Sequence, residues 1–342
     1  MTEDARSDEV RALRRLVNGF QLSQALHAAA VLGVSDQLAR APCTAAELAD
    51  AVGADPEALA RLLRALTAAG LYERDGDGRF TNGPLGDALR SDVQGSLAGW
   101  TRLIGRPYYW QAWSGLTDSV RTGENAFAAQ RGESIWAYRV DHPEEMEIFD
   151  AAMTSLSGIV SDAVVDAYDF GRHRTLVDVG GGRGRLLAAI LARSPDLRGV
   201  LFDQPIVVGG AEAVLAEAGV ADRCTRVGGD FLAAVPDGAD AYVLKAVLHD
   251  WPDAECVAIL RNVRRAMDPT GVVLLIEQLL DEGPDPLRTA LSDLNMLVAP
   301  GGRERDRDAY GALLAAAGLR LVDVVPTRSD VFVIAARVAD RT

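Results

Sequence analysis

Apolar residues recur at helical spacing from Val10 to Leu38, through Leu13, Leu16, Val17, Phe20, Leu26 and Val34, with few charges in the middle of the run. So apolar a surface calls for a partner. It predicts an obligate homodimer through the N-terminal helices, with residues near Phe20 reaching the partner's pocket. Helix punctuation follows: Thr44-Ala-Ala-Glu47 is a capping box, Asp55-Pro56-Glu57 opens a second helix and Gly70 closes it. Leu71-Tyr-Glu-Arg74, Asp75-Gly-Asp-Gly78 and Arg79-Phe80-Thr81 read as a hairpin around a tight Asp-Gly turn. Helices followed by a hairpin predict a winged helix. DNA binding is one reading of such a module, but the helix around Arg61 and Arg64 is mostly Leu and Ala and the wing is acidic, which favours a packing role. From Trp100 to about Ala167 the pattern is helical, with aromatic residues at Tyr108, Tyr109, Trp110 and Trp113, then Phe149 and Met153. Such a cluster is core or the wall of a pocket.

From Arg174 onward short β runs alternate with helical ones: Thr175–Val179, Gly199–Phe202, Cys224–Val227, Ala241–Ala246, Val272–Glu277, Leu319–Val325 and Val331–Val338. This alternation predicts an α/β, doubly wound, mostly parallel sheet with helices on both faces. With 342 residues, 49% of them apolar by type, two domains are expected. The formal net charge of −14 repels phosphate backbones and anionic headgroups, so neither nucleic acid nor membrane is an expected partner. A neutral or cationic small molecule fits better. Cys43, Cys224 and Cys256 are too scattered for a disulfide framework, and no CxxC pair starts a metal site, so no metal is expected. The acidic N-terminal stretch lacks the apolar segment of an export signal, and no run approaches ~18 continuous apolar residues. A soluble cytoplasmic protein with reduced thiols is expected.

The strand run Leu176-Val-Asp178-Val179 leads directly into Gly180-Gly181-Gly182-Arg183-Gly184 and a helix. Glycines here let the backbone turn sharply and approach a ligand. About twenty residues on, Asp203 ends the next strand, where a carboxylate can accept both hydroxyls of a ribose. The third strand ends in Asp230-Phe231, an acceptor for an adenine amine beside a ring to stack on it. Up to this point NAD and S-adenosylmethionine both fit. The spacing G-x-G-x-G with Asp178 ahead of it separates them: a carboxylate there meets the amino group of a methionine moiety, whereas beside a pyrophosphate it is unfavourable. The alternative role for Asp178 is a loop-bracing hydrogen bond.

The stretches LVDVGGGRG, LFDQP, GGDF, LKAVLHDWPD, VVLLIEQ and GGRERD, in that order, resemble the plant caffeic acid O-methyltransferase group and its bacterial natural-product relatives. The resemblance covers nearly the whole chain. It implies S-adenosyl-L-methionine as cofactor, with contacts at Gly180, Asp203, Asp230, Phe231 and Lys245, the last suggested by the resemblance alone. Asp178 and Gly182 join them from the loop itself. It also implies a winged-helix dimerisation domain over residues 1–98, a helical connector with the Phe149-x-x-x-Met153 pattern over 99–172 that lines the acceptor pocket, and a Rossmann-like methyltransferase domain over 173–342.

Methyl transfer to oxygen is an in-line displacement requiring an electron-rich oxygen aligned with the methyl carbon. His249 lies at the carboxyl end of the predicted strand Tyr242–Val247, where open α/β sheets place their chemistry, and can take a phenolic proton as general base. Its second nitrogen needs an acceptor. Glu277, at the end of the next strand, and Glu304, in the Gly-rich segment from Gly301, are the candidates; each reads otherwise as an exposed loop charge. The resemblance implies that both flank the catalytic histidine and that Asp250 accompanies it. His27, His142 and His173 show no metal spacing and read as structural. Asn295 and Met296, with Trp110, Phe149 and Met153, are the predicted walls for a small aromatic acceptor. The loop Val298–Gly301 is one residue shorter than in the plant enzymes and lacks their substrate-contacting Asn, which argues against plant phenylpropanoids; the Ala- and Arg-rich composition points to a bacterial source. Two other readings remain at this stage: a C-methyltransferase, decarboxylase or hydroxylase on the same fold, and a winged-helix regulator with a small-molecule sensing domain.

Overall fold

The computed structural model describes residues 3–339. They form two compact units, one built from residues up to Trp110 together with Ala151–Leu156, the other from Gln111–Asp150 and the chain from Ser157 onward. In the first, helices Gly19–Leu32, Ala45–Val52 and Pro56–Ala68 and strands β1 (Tyr72–Arg74) and β2 (Phe80–Asn82) close over Leu48, Leu63 and Leu66. The local signals act as expected. Thr44 Oγ1 accepts from the Glu47 amide (3.3 Å) while Glu47 Oε2 accepts from the Thr44 amide (2.7 Å), and Asp55 caps the next helix through the Ala58 amide (2.8 Å). Gly78, at φ 79°, lets the hairpin turn. Ahead of this module the helix Glu3–Val17 leaves Val10, Leu13, Leu16 and Val17 exposed, Leu16 by 77%.

The second unit is a seven-stranded sheet in the order β5-β4-β3-β6-β7-β9-β8, from β3 (Thr175–Val179), β4 (Arg198–Asp203), β5 (Cys224–Gly228), β6 (Ala241–Lys245), β7 (Val272–Glu277), β8 (Leu319–Pro326) and β9 (Phe332–Val338). Alternate residues serve opposite faces. Val177, Val179, Tyr242, Leu244, Val273 and Leu275 pack with helices Asp253–Ala266 and Arg307–Ala316. Leu176, Ala241, Val243, Val272, Leu274 and Ile276 pack with helix Arg185–Arg193 and the end of helix Pro143–Ala167. The first five strands pair in parallel; β9 runs antiparallel between β7 and β8. The reason is chain length: only the segment 327–331 joins β8 to β9, whereas a parallel crossover needs about a dozen residues.

The helix Pro143–Ala167 is the one element among the described residues long and apolar enough to cross a membrane by length and composition, with a mean hydropathy of 1.4. Of its most apolar window 28% is buried, with Ala152 and Val164 fully so.

Candidate active site

The strand order reverses between β3 and β6, and open α/β sheets bind ligands at such a switch point, outside the carboxyl ends of the strands. Asp178 lies one residue from the end of β3; Asp203, Lys245 and Glu277 are the last residues of β4, β6 and β7. The sheet thus gathers four predicted residues at one edge.

Gly180, Gly182 and Gly184 take φ of 68°, 59° and 78°, the left-handed region that a side chain disfavours. A Cβ on Gly180 would also press to 2.8 Å from Val247 Cγ2. Asp203 holds the loop: Oδ2 accepts from the Gly182 amide (2.8 Å) and Oδ1 from the Gln204 amide (2.7 Å). Burial raises its pKa, and these two amides oppose that. Asp178 is 1% exposed, and neither oxygen has a hydrogen-bond partner of normal geometry. Burial pushes its pKa up to about 7, against the pull of the Lys245 ammonium and with the help of the Asp203 charge. A buried carboxylate left so is costly. Burial in turn lowers the pKa of Lys245. The third strand does not reach Asp230 and Phe231: β5 ends at Gly228, and the pair lies in the turn beyond it. Asp230 Oδ1 accepts from the Leu232 amide (2.8 Å), and Phe231 meets Trp251 edge-on at 5.7 Å.

After β6 the chain passes through Ala246, a non-glycine at φ 51°, into the short turn Leu248–Asp250. Glu277 Oε1 fixes this turn by accepting from the Val247 (3.1 Å) and Leu248 (3.0 Å) amides. His249 Nδ1 lies 3.0 Å from Glu304 Oε1 and 3.7 Å from Glu277 Oε2; Nε2 is 3.7 Å from Asp250 Oδ1, beyond hydrogen-bond reach. Neither glutamate is an exposed loop charge: Glu277 is 1% and Glu304 2% exposed. Ser292 Oγ donates to Glu304 Oε1 (2.6 Å), and Asp293 Oδ1 accepts from the Glu304 amide (2.9 Å). Burial opposes charge on the imidazole, yet Glu304, Glu277 and Asp250 outweigh it and raise His249 to about 10. Glu277 rises to about 7 and Asp250 to about 6 through burial, whereas the His249 charge and bonds from His249 and Ser292 overcome burial and lower Glu304. His249, Glu277 and Glu304 also place three ligand-type atoms within 4.8 Å of one another.

Arg305, which the sequence reading missed, holds this turn. It is 1% exposed, donates to the Leu248 (2.9 Å) and Trp251 (2.8 Å) carbonyls and pairs with Asp253 (2.8 Å). Its own carbonyl accepts from the Leu280 amide (3.1 Å), tying the Gly-rich segment beside the end of β7. The one available signal was its place inside GGRERD.

The predicted acceptor residues divide between the units. Trp110 and Met153 belong to the first, where Trp110 meets Phe20 edge-on at 6.3 Å. Phe149, Asn295 and Met296 belong to the second. There Asn295 Oδ1 accepts from Trp113 Nε1 (3.2 Å), and Met296 is 6% exposed. Phe149 packs edge-on against Trp136 (5.6 Å), which stacks on Trp251 (6.2 Å, 13° between planes). Trp136 and Trp251 were not singled out in the sequence, since an aromatic residue gives no local sign of what it will face.

The chain matches the O-methyltransferase domain family over residues 113–320 and the O-methyltransferase dimerisation domain family over residues 14–92. It is 42% identical to phenazine O-methyltransferase PhzM of Lysobacter antibioticus, an alignment that covers 98% of this chain and 99% of that protein. Among solved structures, mitomycin 7-O-methyltransferase MmcR superimposes with a TM-score of 0.91 at 40% identity, over 99% of this chain and 100% of the other. The O-methyltransferase NcsB1 from neocarzinostatin biosynthesis, solved with S-adenosylmethionine and 2-hydroxy-5-methyl naphthoic acid, superimposes with a TM-score of 0.78 at 35% identity, over 93% and 96%. The chain belongs to the S-adenosylmethionine-dependent O-methyltransferase family, in its bacterial natural-product branch.

Proposed function

We propose that this enzyme methylates a phenolic hydroxyl of a small aromatic natural-product intermediate, with His249 as general base. The observation that carries the reading is the imidazole held through Nδ1 by buried Glu304 at 3.0 Å, with Nε2 outside hydrogen-bond reach of Asp250. Glu304 fixes the tautomer, Ser292 and Asp293 fix Glu304, and Glu277 fixes the backbone on which His249 rides. A base whose conjugate acid titrates near 10 is matched to a phenol, whose own pKa is about 10. The flat ring systems in the names of the similar enzymes support an aromatic acceptor. Within the second unit, Phe149, Asn295 and Met296 are the proposed walls.

Bound S-adenosylmethionine supplies a methyl group made electrophilic by its sulfonium. The buried Asp178 would meet its ammonium group, the glycine loop at Gly180 and Gly182 would let the backbone approach it, Asp203 would accept from the ribose and Asp230 from the adenine amine beside Phe231, and Lys245 would be a further contact. Because the carboxyl of Asp178 titrates near 7 in the free protein and the ammonium requires it ionised, cofactor affinity is expected to rise between pH 6 and 7.5 with release of a proton. Calorimetry in two buffers measures this; an unchanged pH slope in Asp178→Asn would remove the assignment.

The neutral form of His249 is the base, so kcat/KM is expected to climb with pH from neutrality toward 10. Glu304→Gln removes the nearest carboxylate, the imidazolium loses support, and the climb moves to lower pH by a unit or more. Superimposable profiles would refute the pairing. Run with a chelator, the same assay tests the alternative use of His249, Glu277 and Glu304 as metal ligands, which a loss of activity would favour.

The exposed stripe Val10, Leu13, Leu16 and Val17 runs into the matched dimerisation region, which begins at residue 14, and we assign it to a homodimer interface. Light scattering is expected to give twice the chain mass; a monomer at micromolar concentration counts against it.

A further inference from the structure

From Gly180 to Gly184 the loop after β3 has one residue with a side chain, Arg183. Hydrogen bonds from its amides hold the loop to β4, the Gly180 amide donating to the Phe202 carbonyl (2.8 Å) and the Gly182 amide to Asp203 (2.8 Å). Arg183 is therefore the loop's one means of gripping another element with a side chain. That side chain is 19% exposed and pairs with Glu147 and with Asp150 (3.5 Å), which lie three residues apart on one face of helix Pro143–Ala167. Its Nε is buried beside the turn that follows β4, where a Cβ on Gly210 would come within 3.3 Å of it. All of these residues belong to the second unit.

Such a pairing is stronger than an ordinary surface ion pair, since the Asp150 side chain is 11% exposed and the guanidinium meets two carboxylates. The carboxylates also need it. Burial pushes Asp150 up to about 6 against the pull of the Arg183 charge, and the Asp203 and Glu147 charges add to the rise. The link from cradle to wall is short: Arg183 follows Gly182, whose amide Asp203 holds, and Asp150 follows Phe149, a proposed wall for the acceptor. We propose that Arg183 is a positioning residue that couples the cofactor loop to the helix segment bearing Phe149, so that a cofactor settling on the loop orders that segment. By reciprocity the ordered segment strengthens cofactor binding. This rests on the placement of S-adenosylmethionine at the glycine loop and gives that site a second task.

The test follows hydrogen exchange by mass spectrometry in the full-length protein, free and saturated with S-adenosylhomocysteine, together with the Kd of that ligand by calorimetry. In wild type the ligand is expected to slow exchange about tenfold or more both in residues 180–187 and in residues 146–150. Arg183→Met is expected to keep the slowing in the loop, to lose it in the helix and to weaken Kd about five- to twentyfold, whereas Arg183→Lys retains part of both. The double variant Glu147→Gln/Asp150→Asn removes two charges and keeps the side-chain shapes. It is expected to have the same effects on the helix and on Kd, which decides the matter should Arg183→Met not fold. Adding Arg183→Met to that pair is expected to weaken binding no further, because the three residues act through one another. Helix exchange that ignores the ligand in wild type, helix slowing that survives in either variant, or effects on Kd that add would overturn the coupling. Slowing in the loop alone sinks only the coupling, whereas exchange in residues 180–187 that ignores the ligand sinks the placement of the cofactor and the coupling with it.

Discussion

Replacing His249 by alanine is expected to lower kcat/KM toward a phenolic acceptor by about 10²–10⁴-fold, the usual range for loss of a positioned base, while leaving the cofactor Kd within twofold. The separation follows from the site's layout. His249 touches Glu304, Glu277 and Asp250, whereas the glycine loop is held by Asp203 and the orphaned carboxylate belongs to Asp178. Raising the pH should restore part of the lost rate, because hydroxide then removes the proton that the imidazole no longer takes. Calorimetry with S-adenosylhomocysteine and a methyl-transfer assay from pH 6 to 10 measure the two effects; a variant with wild-type turnover at pH 7 would rule out His249 as the base.

The second large effect is expected at a residue that has no side chain, Gly302. A Cβ on Gly302 would run into the His249 carbonyl oxygen and approach Asp250 C and Trp251 N to 2.5 Å. All of these are backbone atoms, so no rotamer relieves the clash. Nor can the turn simply retreat: Arg305 grips its carbonyls and Glu277 its amides. Gly302→Ala is therefore expected to cost about 1–3 kcal/mol of stability, as overpacking does, and about 10²-fold in kcat, since a shift near 1 Å misaligns the base. Gly311→Ala is the control. It lies in the helix Arg307–Ala316 with nothing within 4 Å of the added carbon, and is expected to leave activity unchanged and raise the melting temperature slightly. Thermal melts and steady-state assays on both variants settle the comparison. A Gly302→Ala enzyme that melts and turns over like wild type would refute the steric account.

Much of the molecule was legible before any coordinates, and the legible parts share a cause. The capping box at Thr44, the hairpin at Asp75–Gly78, the seven strand runs and the glycine loop after Val179 each depend on residues within a few positions of one another, which is the range over which side-chain alternation and turn chemistry act. Placing Asp203 and His249 at strand ends required only counting along such runs. Tertiary structure decided the rest. Glu304 meets His249 across 55 positions because Arg305 pairs beside the end of β7, and until that contact forms nothing distinguishes Glu304 from a solvated charge. The antiparallel insertion of β9 could have been read from its short connection to β8, but its place beside β7 could not. Arg139 is the clearest case: nothing near it in the sequence signals burial, and only packing against Phe149 and Trp136, with Trp136 in turn stacked on Trp251, leaves it 3% exposed. Local sequence determined which elements form and which residues end them; the sheet's order of assembly determined which charges share a cavity, because that pairing is made between segments whose patterns carry no information about each other.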